Sequence, residues 1–217
     1  YSTTAFLVRK DNPKGIESWD DLVREDVRMV FPNPKTSGNG RYTYLAAWGF
    51  ADQHFDGDEE RIHDFMRTFL SNVAVFDTGG RGATTSFIER GRGDVLISFE
   101  SEVNNIRSEY GSDDYEVIVP PVSILAEFPV AVVGPNAERN GNLDLAQAYV
   151  EYLYGEEAQR TLAGFNYRVH HEAVVEEFAD AFPETELLRV EEVFGGWDEA
   201  MEAHFAGGGL LDQLQRR

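Results

Sequence analysis

Met29-Val-Phe31-Pro32-Asn-Pro34-Lys35-Thr-Ser37-Gly38-Asn39-Gly40-Arg41 decides the fold class. The apolar run 29–31 reads as a short strand. Pro32 and Pro34 stop it, since proline offers no amide to a sheet. A helix over 41–54 then carries Tyr44, Leu45 and Trp48 on one face. The same order recurs downstream. A strand over 73–76 leads into Asp77-Thr78-Gly79-Gly80-Arg81-Gly82-Ala83-Thr84, then a helix over 84–90. Strand, glycine-rich loop and helix, twice over, point to an α/β protein with a mostly parallel sheet.

Working outward, residues 3–8 read as a strand near the start of the chain, and Ser18 with Asp21 opens a short helix. Ile62, Phe65, Met66, Phe69 and Leu70 form a helical stripe. A buried strand over 94–99, a helix over 102–110 and a strand over 115–119 continue the alternation. The apolar run 124–133 is broken by Pro129. After Gly134-Pro135 the chain turns helical: 143–165 with a break at Gly155, then 172–182 and 191–205, with a short strand over 187–190. The best internal boundary falls near residue 134. No internal repeat and no low-complexity segment is visible.

The sequence has 217 residues, and 39 Asp plus Glu against 19 Lys plus Arg leave a net charge of −20. That balance argues against nucleic acid and anionic membranes, both of which need clustered Lys and Arg. Apolar residues make up 42%, which is enough for a real core and excludes a disordered acidic tail. No apolar run is long enough to span a membrane, so no membrane insertion is expected. Cysteine is absent, which removes disulfides, thiolate nucleophiles and thiolate metal sites together. The sequence opens on Tyr1 rather than Met, so a processed or partial chain is expected.

The two glycine-rich loops are the features that carry chemistry. Each presents free backbone amides at the positive end of a helix dipole, a ready place for an anion. Each alone also reads as a tight turn with a Ser or Thr cap. Two of them at equivalent positions favour anion binding, because ligands of open α/β sheets collect at the carboxyl ends of strands. Neither is a nucleotide motif: Lys35 precedes Ser37-Gly38 where a P-loop needs Gly-Lys-Ser, and the second loop lacks the third spaced glycine. His170-His171-Glu172 reads as a surface loop rather than a metal site, since adjacent histidines point apart and no third ligand is spaced to help. Glu100 and Glu102 have the makings of a carboxylate pair, but a solvated helix start is the better reading. Trp48 and Trp197 read as core. Arg81 and Arg90 are placed to brace the loops by pairing with carboxylates.

Longer motifs add a resemblance. They are Phe6-Leu-Val-Arg-Lys10, Asn33-Pro-Lys35, Ser37-Gly38, Tyr44-Leu-Ala-Ala-Trp-Gly49, Gly93-Asp-Val-Leu-Ile97, Ile124-Leu-Ala-Glu127, Tyr152-Leu-Tyr154, Phe194-Gly-Gly-Trp197 and His204-Phe-Ala206. With these in order, the chain resembles the periplasmic sulfate-binding proteins, receptors of sulfate/thiosulfate ABC importers, over nearly its whole length. The resemblance implies a type II periplasmic binding protein-like α/β fold, with two lobes joined by crossover strands and the anion in the cleft. It implies a first crossover over 1–8, a second lobe over 9–123 with the anion-binding loops, and a return crossover over 124–133. It also implies a helical part over 134–217 packing on the first lobe. Most of that first lobe, roughly ninety residues, would precede Tyr1.

By the same resemblance the anion is held by Ser37, Gly38, Asn39 and the backbone of Gly80, with Arg81 beside it. Phe99 stands where the family has a Trp donor, and a first-lobe Ser lies outside this sequence. Phe99 cannot donate, and a hydrogen bond to a charged partner is worth about 1.5–3 kcal/mol, so the loss implies roughly ten- to a hundredfold in affinity or a different preferred oxyanion. The expected ligand is sulfate or thiosulfate, and the expected partner is an ABC transporter permease. A periplasmic monomer with no cofactor, no metal and no catalytic residue is expected. A site of neutral donors suits a fully ionised anion, since a protonated one would leave its O–H unsatisfied. The alternatives left open are an α/β enzyme acting on a phosphorylated or sulfated small molecule, with Glu100 as its acid, and an interaction module whose loops are only caps.

Overall fold

The computed structural model describes residues 1–215, which divide into two compact units. The larger is made of Thr3–Leu125 and the segment from Glu184 onward. The smaller is made of Tyr1–Ser2 and Ala126–Pro183. The boundary expected near residue 134 lies inside the smaller unit.

The larger unit begins with β1 (Thr4–Arg9), a 3-10 turn (Trp19–Val23) and β2 (Met29–Pro32). Then come α1 (Gly38–His54), α2 (Glu59–Ser71), β3 (Val73–Asp77), α3 (Gly80–Ile88), β4 (Val95–Phe99), α4 (Glu100–Tyr110), β5 (Tyr115–Ile118) and β6 (Val122–Ile124). Strands β3-β2-β4-β1-β5 form one sheet in that order. β2 pairs in parallel with β3 and β4, whereas β1 pairs antiparallel with both β4 and β5. The sheet is thus mostly parallel in direction, and β1 alone runs against the rest. β1 is nearly all buried, as a strand between two neighbours must be.

The α2 stripe is buried as its spacing requires: Ile62, Phe65, Met66, Phe69 and Leu70 all enter the core. Asp58 caps the helix by accepting from the Arg61 amide at 3.2 Å. Trp19 is fully buried, meets Phe6 edge-to-face at 4.9 Å, and donates its indole N–H to the Val122 carbonyl at 2.8 Å. That bond removes the one polar cost of burying an indole. Gly40 explains how α1 comes so close to the sheet. A β-carbon there would overlap the Pro32 carbonyl, so only glycine lets the helix start against the end of β2.

The smaller unit holds α5 (Gly134–Arg139), α6 (Leu143–Tyr152), α7 (Glu156–Gly164) and α8 (Glu172–Glu177). The helix expected over 143–165 is broken around Gly155, which serves as the N-cap of α7. Ala163, Val169 and Val174 make a small core. α6 buries none of its residues, and Leu145, Tyr149, Tyr154 and Phe165 are each more than half exposed. The expected strand over 124–133 stops early. β6 ends at Ile124, Ala126 makes a bridge to Ser2, and residues 127–133 lie outside any strand. Pro129, which has no amide to give a sheet, lies within that irregular stretch.

The chain then returns to the larger unit through β7 (Glu186–Leu188), parallel to β6. α9 (Val190–Phe194), α10 (Trp197–Ala200), a π-helical turn (Met201–Phe205) and α11 (Leu210–Gln215) follow. The helix expected over 191–205 is split at Gly195 and Gly196, whose φ angles of 75° and 116° end one helix and start the next. Trp48 and Trp197 pack against the main core, as read from the sequence.

Candidate functional site

Sheet order brings the two loops together. β3, β2 and β4 lie side by side and run the same way, so their carboxyl ends, Asp77, Pro32 and Phe99, share one edge. Each is followed by a helix: α3, α1 and α4. Three helix N-termini therefore gather at one place, the arrangement in which amide dipoles add. The loops are also tied to each other. The Asn33 amide donates to the Asp77 carbonyl at 2.7 Å, and Thr36 Oγ1 donates to the Thr78 carbonyl at 3.0 Å.

Ser37 is the N-cap of α1, and its hydroxyl accepts from the Gly40 amide at 3.4 Å. The amides of Gly38 and Asn39 carry no hydrogen bond among the described residues. Gly79 caps α3 without a side chain, and the amides of Gly80, Arg81 and Gly82 are likewise unengaged among the described residues. The sequence-predicted residues Ser37, Gly38, Asn39, Gly80 and Arg81 thus sit on two adjoining helix starts. Phe99 is the N-cap position of the third, α4. Its ring packs edge-to-face on Tyr42 at 5.6 Å, and Tyr42 in turn meets Trp197 at 4.9 Å.

The basic residues near the loops have different fates. Lys35 is turned away from the amides. Its ammonium donates to the carbonyls of Phe205 and Ala206, both at 3.0 Å, and pairs with Asp212 at 2.8 Å. It closes the C-terminal end of the π-helical turn. Arg41 donates to the Pro34 carbonyl at 3.1 Å. Arg81 and Arg90 are exposed and make no ion pair among the described residues, so the bracing role read from the sequence is corrected. Arg81 instead lines a groove of about 580 Å³ between α3 and α4, with Glu102, Glu109 and Tyr110.

Two carboxylates face the same amides. Asp77 lies against Gly82, where a β-carbon would be 3.1 Å from its Oδ1. Glu102 accepts from Asn39 Nδ2 at 3.0 Å and from Ser98 Oγ. Sequence reasoning missed Ser98, and it read Glu102 as a solvated helix start in preference to one of a carboxylate pair. Nothing in the local pattern could have shown that α4 begins beside α1. Glu100, by contrast, is fully buried.

The remaining candidates lie elsewhere. His170 stacks on Tyr1 at 4.8 Å, and His171 is the N-cap of α8. Among the described residues no group of three His, Asp or Glu is placed to hold a metal ion. A buried polar pair sits on the other side of α1. Tyr44 Oη lies 3.1 Å from His204 Nδ1, and Trp48, Phe194 and Phe205 surround the imidazole. Burial, with His63 as a second cause, pushes the His204 imidazole down to about 4, and burial pushes the Tyr44 phenol up.

Comparison with known proteins gives four results. A family model described as bacterial extracellular solute-binding protein matches residues 1–168. A thiosulfate-binding protein of Escherichia coli is 58% identical over 214 residues, a match that takes in 99% of this chain and 63% of that protein. A sulfate-binding protein of the same organism is 45% identical over 216 residues, taking in 100% of this chain and 66% of that protein. Among solved structures, the sulfate-binding protein SubI from Mycobacterium tuberculosis superimposes with a TM-score of 0.80 at 32% identity, over 94% of this chain and 69% of that one. The chain therefore spans just under two thirds of the length of the two Escherichia coli relatives.

Proposed function

The chain belongs to the family of bacterial extracellular solute-binding proteins, and we propose that it binds a tetrahedral oxyanion, sulfate or thiosulfate, for an ABC importer. One observation carries the reading. The N-termini of α1 and α3 lie side by side, with the amides of Gly38, Asn39, Gly80, Arg81 and Gly82 unengaged among the described residues. Such amides hold an anion by fixed dipoles and need no cationic side chain. That fits the position of Lys35, whose charge is directed elsewhere.

Thiosulfate and sulfate stand first because the two Escherichia coli relatives are named for them. The receptor works outside the cytoplasm, as a monomer, and hands the anion to a membrane permease. In the whole receptor, residues 1–8 and 124–133 cross between lobes, and 134–183 pack on the lobe that this chain does not span. Support for the last point comes from α6, whose apolar side chains find no cover in the smaller unit.

The test is calorimetry with sulfate and with thiosulfate. It uses this chain, and this chain joined to the part of the Escherichia coli thiosulfate-binding protein that it does not span. Binding by the joined protein supports the reading. A folded joined protein that binds neither anion refutes it.

A further inference from the structure

Lys35 sits in the anion loop, yet its charge is directed into the fold. An ammonium has three donors and no acceptor. Here each donor has a partner: the carbonyls of Phe205 and Ala206, both at 3.0 Å, and Asp212 Oδ1 at 2.8 Å. The ammonium therefore has no donor to spare for an anion at the loops. Its partners belong to a firmly anchored segment. Phe205 of the π-helical turn and Leu211 and Leu214 of α11 are buried in the main core. Asp212 lies between the two leucines in sequence, and its Oδ2 accepts from the Gly208 amide at 2.7 Å. One carboxylate thus fastens both the turn before α11 and the Lys35 ammonium.

The other end of Lys35 is the loop itself. Its backbone amide donates to Asn33 Oδ1 at 2.9 Å. The Asn33 carbonyl accepts the amides of Thr36 and Ser37, both at 3.0 Å. Residues 33–37 are one hydrogen-bonded turn, and Gly38 follows at once. A displacement of Lys35 therefore moves the turn as a unit and carries the Gly38 and Asn39 amides with it. Arg41, in the first turn of α1, lies over the Phe205 ring at 6.0 Å, so a second cation of this region meets the same segment.

We propose that Lys35 is a positioning residue for the anion site. Its ammonium latches the β2–α1 loop to the segment 205–212, and anion affinity depends on Lys35 through the geometry of the loop rather than through its charge. This rests on the oxyanion reading and names the contact outside the loops that sets the direction of the Gly38 and Asn39 amides. Hydrogen bonds weaken steeply once donor and acceptor are misaligned. Amides held in place before binding also need no ordering when the anion arrives. A purely electrostatic role makes a different prediction. There the ammonium would attract the anion and the Asp212 carboxylate would oppose it. Loss of Lys35 weakens binding in both cases. Loss of the Asp212 charge tightens binding if charge is what counts, and weakens it if the latch is what counts.

The experiment is calorimetry with sulfate and with thiosulfate, on whichever of the two proteins described above binds. Lys35→Met keeps an apolar stem and removes the donors. Asp212→Asn removes the charge and keeps an acceptor for the Gly208 amide. Each is expected to weaken binding by about fivefold or more, as for residues coupled through one network. The double variant is expected to bind no worse than Lys35→Met alone, since the latch is already open. Hydrogen exchange supplies a second readout. The amides of Thr36 to Asn39 should exchange faster in both single variants while α2 and β4 keep their protection, which separates a loosened loop from a damaged fold. If Lys35→Met loses the protection of α2 and β4 as well, Asp212→Asn decides alone. Unchanged or tighter binding in Asp212→Asn overturns the proposal, as does a double variant that regains wild-type affinity or loop amides that exchange as in the wild type. A wild-type protein that binds neither anion would sink the oxyanion reading and this proposal with it.

Discussion

Replacing His204 by Gln should remove a pH-dependent part of stability whose size follows from the structure. His204 is 6% exposed, and its imidazole is pushed from 6.5 down to about 4. The groups around it are Tyr44, Trp48, Phe194 and Phe205, with His63 nearby. None offers a negative charge to an imidazolium. The unfolded chain therefore binds a proton more readily than the folded one, and stability rises with pH between about 4 and 6.5. Linkage between these two values makes the folded state about 2 kcal/mol less stable at about pH 5 than at about pH 7.5 from this group alone. With 39 Asp and Glu also titrating, the raw curve mixes many groups. The comparison with His204→Gln isolates one, because Gln keeps a polar partner for Tyr44 Oη and cannot charge. Urea unfolding of both proteins at the two pH values should show the wild type losing about 2 kcal/mol more than the variant. An equal loss in both would refute the argument. It would mean that the imidazole charges inside the fold at little cost, through water or through movement of the π-helical turn.

Gly40→Ala forces a methyl group into the Pro32 carbonyl at the start of α1. A loss of about 1–3 kcal/mol in urea unfolding is expected, together with weakened anion binding. Phe99→Trp restores an indole donor at the edge shared by the three helix starts, displacing the ring that meets Tyr42 at 5.6 Å. Calorimetry should show tighter sulfate binding by roughly tenfold, the worth of one hydrogen bond to a charged partner. An unchanged affinity would place that position outside ligand reach. Leu145→Ser with Tyr149→Ser removes two exposed apolar groups from α6. In this chain alone, light scattering should show less self-association with little change in melting temperature. When the chain is joined to the part of the Escherichia coli relative that it does not span, the same pair should destabilise it.

Much of the frame was legible because it rests on local periodicity. The α2 stripe and the two strand-loop-helix units need only neighbouring residues to declare themselves. The direction of β1 was not legible. A strand buried between two partners is apolar throughout whether its neighbours run with it or against it, and β1 shows that pattern. α5 and α11 have six residues each, too few for a helical period to stand out. Each loop alone read as a capped turn, and only the pair favoured an anion. Their contact was not legible, because the register that sets Pro32 opposite Asp77 is a property of the sheet. The same holds for Glu102. As a residue early in a helix it looks solvated, and only the placement of α4 beside α1 and α3 gives its carboxylate two structural partners. Lys35 shows the converse. It sits next to the anion loop in sequence, yet its charge is held by Asp212 and two carbonyls.

For a chain with net charge −20, the proposal of an anion site raises the question of which carboxylates oppose it. Distance decides. The Debye length is about 8 Å at physiological salt, so exposed Asp and Glu farther away act weakly. Asp77 and Glu102 are different, since each lies against a glycine of the α3 start. Ions cannot stand between them and a bound oxyanion. Two levers should therefore separate. Raising sodium chloride from about 50 to about 300 mM screens the surface charges and should change sulfate affinity by less than about threefold. Removing one of the two contacting charges, by Glu102→Gln, should change it by roughly tenfold. A strong salt dependence with no change in Glu102→Gln would mean that the surface field, not the two carboxylates at the helix starts, governs the site.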